Sequence, residues 1–413
     1  MVPVFSDLLR SRILVLDGSM GVLLQRRVTT EEGYRGERFA NHPRDLRNNT
    51  EALLLHSPHL VQEVHEAYLA AGADIVETST FTANSVAQAD YALEPYVREM
   101  NLVAARIARD ACAKFSTSDR PRLVAGAMGP CNRSASVVID ADRPEIRGID
   151  FEGLRRAYSE QAEALIDGGV DFLLCETTFD TLNLKAALFA IGELFERGVR
   201  NVPVVASLFI DQSGGNLSGQ TVEAFWNSIR HFPLAAVGVN CSMGPDLLRP
   251  HVELLHRIAD VPIIAYPNAG LPNPLSETGY DMGPEQMAPM LREWAELGWL
   301  NIVGGCCGTT PEHIKAIAAA VDGLAPRAIP DLPPTLRLAG TQPLTVREET
   351  NFINVGERCN VAGSSRFLKL IQEDRFEDAL AVAREQVDNG AQILDVCFDD
   401  KGMLDRNRSM RHF

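Results

Sequence analysis

Three cysteines stand where two short apolar segments end: Cys241 in GVNCSMGP, and the adjacent Cys306 and Cys307 in NIVGGCCGTTPEHI. Neighbouring cysteines on a regular strand point to opposite faces, and side by side they make a poor disulfide. Gly304, Gly305 and Gly308 permit an irregular backbone that could turn both sulfurs toward one point. Three thiolates make a good tetrahedral ligand set for Zn2+, and three protein ligands leave the fourth position open, as in catalytic sites. The long separation of Cys241 from the other two is unlike the close pairs of a zinc finger. In TTPEHI, Thr309 is the expected N-cap of a helix, with Pro311 in its first turn and Glu312 completing a capping box. A helix starting there would favour thiolate over thiol. The competing reading is a pair of structural cysteines packed beside a turn. Cys112, in an arginine-rich helical segment, and Cys175, inside an apolar run, read as packing residues.

An open sulfur-ligated zinc site suits a substrate that is itself a thiol. A free thiol has a pKa of about 8.5, and metal binding converts it to a thiolate near neutral pH. Three acidic residues end other apolar runs: Asp17 in LDGSMG, Glu77 in VETSTF and Glu176 in LLCETTFDT. They could hold a substrate ammonium group, while the turn at Gly18 could offer backbone N–H groups to a carboxylate. For the two glutamates, capping of the next helix competes with this role; for Asp17, so does an ordinary Asp-Gly turn. An amino-acid thiol is the substrate this chemistry indicates.

Eight runs rich in β-branched residues must position these groups, at 13–18, 73–80, 122–129, 170–177, 202–209, 235–241, 261–268 and 300–307. Most are continuous rather than alternating, as in parallel strands buried on both faces, and helical patterns lie between them. Eight alternations predict an α/β fold of the (β/α)8 TIM-barrel type, with its chemistry at the C-terminal ends of the strands. The segments YLAAGADIVET, LIDGGVDFLLCET and EWAELGWLNIVGG each pass from a helix through glycine into a strand. The barrel is expected over 1–325, a proline-rich linker over 326–347 and the start of a second βα domain over 348–413. That last part holds two expected strands, too few to close a barrel.

With 46% hydrophobic and 23% charged residues the composition is globular, and a net charge of −16 argues against nucleic acid or an anionic membrane as partner. No apolar run reaches membrane length and no signal peptide is visible, so a cytoplasmic location is expected, where cysteines stay reduced.

The cysteine segments resemble the zinc motifs of the homocysteine S-methyltransferase family, and LDGSMG, VETSTFTANS and LLCETTFDT resemble its substrate-binding strand ends. YPNAGLPN and LSGQT also fit, and the likeness spans about residues 10–325. FINVGERCNVAGSSRF and GAQILDVCFDDKGMLD resemble the start of the pterin-binding domain of cobalamin-dependent methionine synthases. The resemblance implies zinc on Cys241, Cys306 and Cys307, and the homocysteine amino group on Asp17 and Glu176 with Glu77 and Gly18 nearby. It also implies Asn360 at a pterin-facing strand end. Methylcobalamin, carried by another domain or chain, would be the methyl donor, and 5-methyltetrahydrofolate its ultimate source. Ser79 and Cys397 stand where the family commonly has asparagine, and Lys401 reads as an extra residue. These departures, with the short second domain, speak against folate binding and a full catalytic cycle by this chain alone. Two other readings are a cobalamin-independent methyltransferase using a sulfonium or betaine-type donor, and a non-catalytic homocysteine- or zinc-binding subunit acting with a cobalamin-carrying partner.

Overall fold

The computed structural model describes residues 5–275, 279–400 and 405–413. Lys401 lies outside them. Eight parallel strands form one sheet: β1 (Leu14–Val15), β2 (Ile75–Glu77), β3 (Leu123–Met128), β4 (Phe172–Thr178), β5 (Val204–Leu208), β6 (Ala236–Asn240), β7 (Ile263–Tyr266) and β8 (Ile302–Val303). Each pairs with its neighbour in the chain, and β8 pairs with β1, Leu14 opposite Ile302. The ring closes between β1 and β2, where Asp17 N donates to Ile75 O at 3.0 Å and Asp74 N to Val15 O at 2.7 Å. All eight expected strands are present, each shorter than its apolar run.

Why the runs are continuous is visible in the packing. Leu14, Leu16, Ile75, Phe172, Leu174 and Ile302 fill the barrel interior, while Val15, Val76, Val124 and Leu173 belong to a second core shared with the surrounding helices. Both faces are therefore dry, and each fully buried apolar side chain contributes about 1.5–3 kcal/mol. The helix Phe5–Ser11 adds Phe5, Leu8 and Leu9 to the interior cluster, with the Phe5 ring stacked 4.4 Å from that of Phe172. Gly72, Gly169 and Gly298, at the helix-to-strand turns, have φ of 109°, 93° and 71°, a region that disfavours any Cβ.

The chain divides into two compact units. The first runs to Ala135, then over Ile149–Pro334 and Leu338–Leu344; the second comprises Ser136–Gly148, Thr335–Arg337 and Thr345–Phe413. In the proline-rich stretch, Arg327 is buried and its guanidinium donates to the carbonyls of His256, Ala259 and Val261. Farther on, β9 (Arg337–Ala339) and β10 (Pro343–Thr345) form a small two-stranded sheet. The second unit pairs β11 (Val355–Asn360) with β12 (Ile393–Cys397) in parallel, over a core that includes Cys359, Phe367, Phe376 and Phe398. Among the described residues, no helix is long and apolar enough to cross a membrane.

Candidate metal and substrate site

The strand ends bring the three cysteines together. Their sulfur atoms all lie within 4.8 Å of one another, and those of Cys241 and Cys307 are 3.8 Å apart. A tetrahedral ion with metal–sulfur bonds of about 2.3 Å needs sulfurs about 3.8 Å apart, so this set fits zinc. None of the three sits on a regular strand. Cys241 follows the last residue of β6 and, with Ser242, adopts left-handed backbone, φ 57° and 67°. Such a conformation is costly for a non-glycine residue and is tolerated where it aims a functional side chain. Cys306 and Cys307 lie in the turn after β8, pinned by Cys306 N to Pro267 O at 2.8 Å and Cys307 N to Asn268 Oδ1 at 3.1 Å.

The helix after the cysteines spans Pro311–Val321, and its N-cap is Thr310 rather than the expected Thr309. His313, not Glu312, completes the cap: its Nδ1 accepts from Thr310 N at 3.2 Å, and its Nε2 lies 3.0 Å from Met282 O. Thr309 is drawn into the turn instead, its hydroxyl donating to Cys306 O at 2.6 Å and accepting from Ser19 N at 3.3 Å. Gly18 sits against this contact. A Cβ there would fall 2.6 Å from the Thr309 hydroxyl and 2.9 Å from the Tyr68 ring, so only glycine fits.

The three thiols share charge unevenly. Hydrogen bonds from Cys241, Cys306 and Tyr280 hold the Cys307 thiol down to about 3. Cys306, hydrogen-bonded to the other two and buried, is pushed well up. Cys241 rises to about 12: its bond with Cys306 works the other way, but its bond to Cys307 and burial prevail. Cys112 and Cys175 are buried away from this cluster, and burial raises each to about 12.

Asp17, Glu77 and Glu176 converge at the same mouth. Asp17 Oδ2 accepts from Glu77 N at 3.1 Å, while Asp17 Oδ1 and Glu77 Oε1 are buried with no hydrogen-bond partner. Burial first, and then mutual repulsion, raise Asp17 and Glu176 well above the usual carboxyl range; burial raises Glu77 to about 8. The competing capping role falls to other residues: Asp180 caps the helix after β4, accepting from Leu182 N, and Asn84 caps the one after β2, accepting from Ala87 N.

Sequence reasoning did not find the polar layer under the sulfurs. Asn240 Oδ1 accepts from Thr177 N at 2.9 Å and from the Ser207 hydroxyl at 2.6 Å; its Nδ2 donates to Thr177 Oγ1 and lies 3.9 Å from Cys306 Sγ. Ser207 also meets the Tyr266 hydroxyl at 2.7 Å. Asn240 and Tyr266 are the last residues of β6 and β7, directly before Cys241 and Pro267. In the second unit, Asn360 ends β11, its Nδ2 bonding Asp395 at 3.2 Å and its Oδ1 accepting from Ala362 N and Gly363 N.

A parallel barrel whose mouth offers three sulfurs to one ion falls in the class of barrel enzymes with an open, sulfur-ligated metal site. Residues 14–321 match the family model for homocysteine S-methyltransferase, and the chain belongs to that family. Residues 356–413 match the model for pterin binding enzymes, so a homocysteine S-methyltransferase domain is followed by the start of a pterin-binding domain, the order found in the N-terminal region of methionine synthase. Among solved structures, the chain is similar to the metallated form of the homocysteine methyltransferase MmuM from Escherichia coli, with 24% identity and a TM-score of 0.57 over 75% of this chain and 96% of that one. The oxidised form of the same protein gives 25% identity and 0.57 over 74% and 95%.

Proposed function

We propose that the barrel transfers a methyl group from methylcobalamin to the sulfur of homocysteine, giving methionine, with 5-methyltetrahydrofolate as the ultimate donor in the larger cycle. The observation that carries this reading is the pairing of a three-sulfur site with three buried carboxyls that meet no cation among the described residues. In this reading Cys241, Cys306 and Cys307 hold Zn2+, which supplies the Lewis acidity that turns the homocysteine thiol into a thiolate at neutral pH. Asp17 and Glu176 receive the substrate ammonium, with Glu77 beside them, and the backbone at Gly18 faces the carboxylate. Binding a cation there lets those carboxyls ionise, so affinity and orientation come from the same groups. Asn360 would face the pterin in the second unit.

The rim supports a bulky donor with an apolar face. Phe81, Leu182, Leu217 and Leu271 are exposed large hydrophobic residues just beyond the C-terminal ends of β2, β4, β5 and β7. A small sulfonium or betaine-type donor has no need of such a rim.

Homocysteine-dependent loss of the methylcobalamin visible spectrum, with zinc restored and with zinc chelated, tests this. Zinc-dependent demethylation is expected. No reaction in a sample holding one zinc per chain, with turnover of S-methylmethionine instead, would replace the donor in this reading.

A further inference from the structure

The polar layer beneath the sulfurs holds one arrangement that metal ligation does not account for. Along β4, Leu174 fills the barrel interior and Cys175 packs outward among the helices, so alternation turns Glu176 inward and would send Thr177 out. The strand breaks this pattern. Cys175 lies opposite Ala206 of β5 and Thr178 opposite Leu208, so β4 carries one residue more than its neighbour between these pairs, a β-bulge. Thr177 sits in the bulge with left-handed backbone, φ 54°, an unfavourable conformation for a β-branched residue.

What holds it there comes from two strands away. On β6, Ala236 belongs to the interior cluster while Val237 and Val239 belong to the outer core, so Asn240 is turned inward. Its buried amide grips Thr177 twice, Oδ1 accepting from Thr177 N at 2.9 Å and Nδ2 donating to Thr177 Oγ1 at 2.7 Å. The Thr177 N–H can only donate, which fixes Oδ1 toward it and Nδ2 toward the hydroxyl. Between the two strands, Ser207 of β5 donates to the same Oδ1 at 2.6 Å and keeps the amide from turning. Strained backbone persists only where its surroundings over-determine it, and bulges re-aim the side chains beside them. The side chain beside this one is Glu176.

We propose that Asn240 is a positioning residue for substrate binding: its amide clamps Thr177 in the bulge and so aims the Glu176 carboxyl at the ammonium group of an amino-acid thiol. The inference rests on the role given to Glu176 above and adds a residue that acts through it. Because Asn240 directly precedes Cys241, one residue ties the strand end that bears a sulfur to the strand end that bears the acid. It thereby sets the span between the place of the substrate's sulfur and that of its nitrogen. The amide is neutral, so it sets this geometry without adding charge to the mouth.

The test is Asn240→Ala in the zinc-loaded full chain, with calorimetric titration of homocysteine and of γ-mercaptobutyrate, the same thiol acid without the amino group. Wild type should bind homocysteine the more tightly. In the variant, at one zinc per chain, the Kd for homocysteine should rise about tenfold, the scale of one misplaced charged hydrogen bond, while that for γ-mercaptobutyrate should not change. Thr177→Ala, which removes only the hydroxyl side of the clamp, should give the same selective loss at about threefold. Equal weakening of both ligands would overturn the proposal, making Asn240 a general support of the site. So would a Thr177→Ala chain that discriminates as wild type does, whatever the fate of Asn240→Ala. A wild-type chain that binds the two ligands equally would instead overturn the ammonium-binding role of Glu176 itself.

Discussion

The two ends of the barrel treat buried acid in opposite ways. At the N-terminal end Asp74, just before β2, is almost wholly buried yet meets three guanidinium groups: Arg12 at 2.6 Å, Arg120 at 2.7 Å and Arg122 at 3.0 Å. It also accepts from Val15 N at 3.0 Å. Burial alone would raise its pKa, but hydrogen bonds from Arg12 and Arg120 outweigh that and leave it below the ordinary value. At the C-terminal end Asp17, just after β1, shares its burial with Glu77 and Glu176, and none of the three forms an ion pair among the described residues. The same fold pairs a buried carboxylate where it closes the ring and leaves three without an ion pair, among the described residues, at the mouth where the proposed substrate ammonium would bind. Uncompensated acid in a closed space costs stability, and under the proposed function substrate binding would recover that cost.

The contrast can be attacked at either end. Asp74→Asn should have the largest effect, because it leaves three arginines facing a neutral side chain at the seam of β1 and β2. A loss of about 3 kcal/mol is expected, the lower part of the range for breaking a buried pair because Arg12 and Arg120 reach solvent. Chemical denaturation of the barrel measures it, and an unchanged midpoint would show that the cluster contributes nothing. Glu176→Gln should do the reverse. Homocysteine affinity, measured by calorimetry, should weaken roughly tenfold to a hundredfold with one charged hydrogen bond lost, while thermal stability holds or rises. A variant that unfolds but binds normally when folded would place Glu176 with Asp74 as a structural acid.

Glu77→Gln sharpens the comparison through pH. With its pKa raised to about 8, Glu77 keeps its proton in the folded state and loses it on unfolding above its ordinary value of 4.5. The unfolded state then binds fewer protons, so this group's contribution is full below pH 4.5 and declines as pH rises toward 8. Glu77→Gln should therefore raise the melting temperature of the substrate-free protein at pH 8 and leave it nearly unchanged at pH 4.5. Thermal scans at the two pH values give the answer, and a larger gain at the acid end would reverse the sign argued here.

Much of the barrel was legible because a strand buried on both faces must be apolar throughout, and eight such runs survive in the sequence, with glycine at the turns before the runs at 73–80, 170–177 and 300–307. The cysteines were legible for a related reason: thiols, glycines and a helix start in one short segment have few other uses. What was misread was local in the wrong way. Thr309 has every mark of an N-cap, but the turn at Gly18 after β1 brings Ser19 within reach, and the hydroxyl goes to the turn instead. Asn240, Ser207 and Tyr266 form one network from three strands, and no spacing along the chain announces a contact made across a sheet. The role of Arg327 was hidden likewise, since its three carbonyl partners come from a distant helix end and loop.

By itself, the sequence determined the strand and helix alternation, the three cysteines that meet at one point and the acids at the strand ends. These follow from side-chain chemistry and periodicity, which act over a few residues. Only the tertiary structure decided that Cys241 would turn left-handed to meet Cys307 at 3.8 Å, that Asp74 would gather three arginines while Asp17 has no ion pair among the described residues, and that the Tyr280 ring would lie on Gly308. Those outcomes depend on which strand ends become neighbours when the ring closes, and closure is a property of the whole sheet.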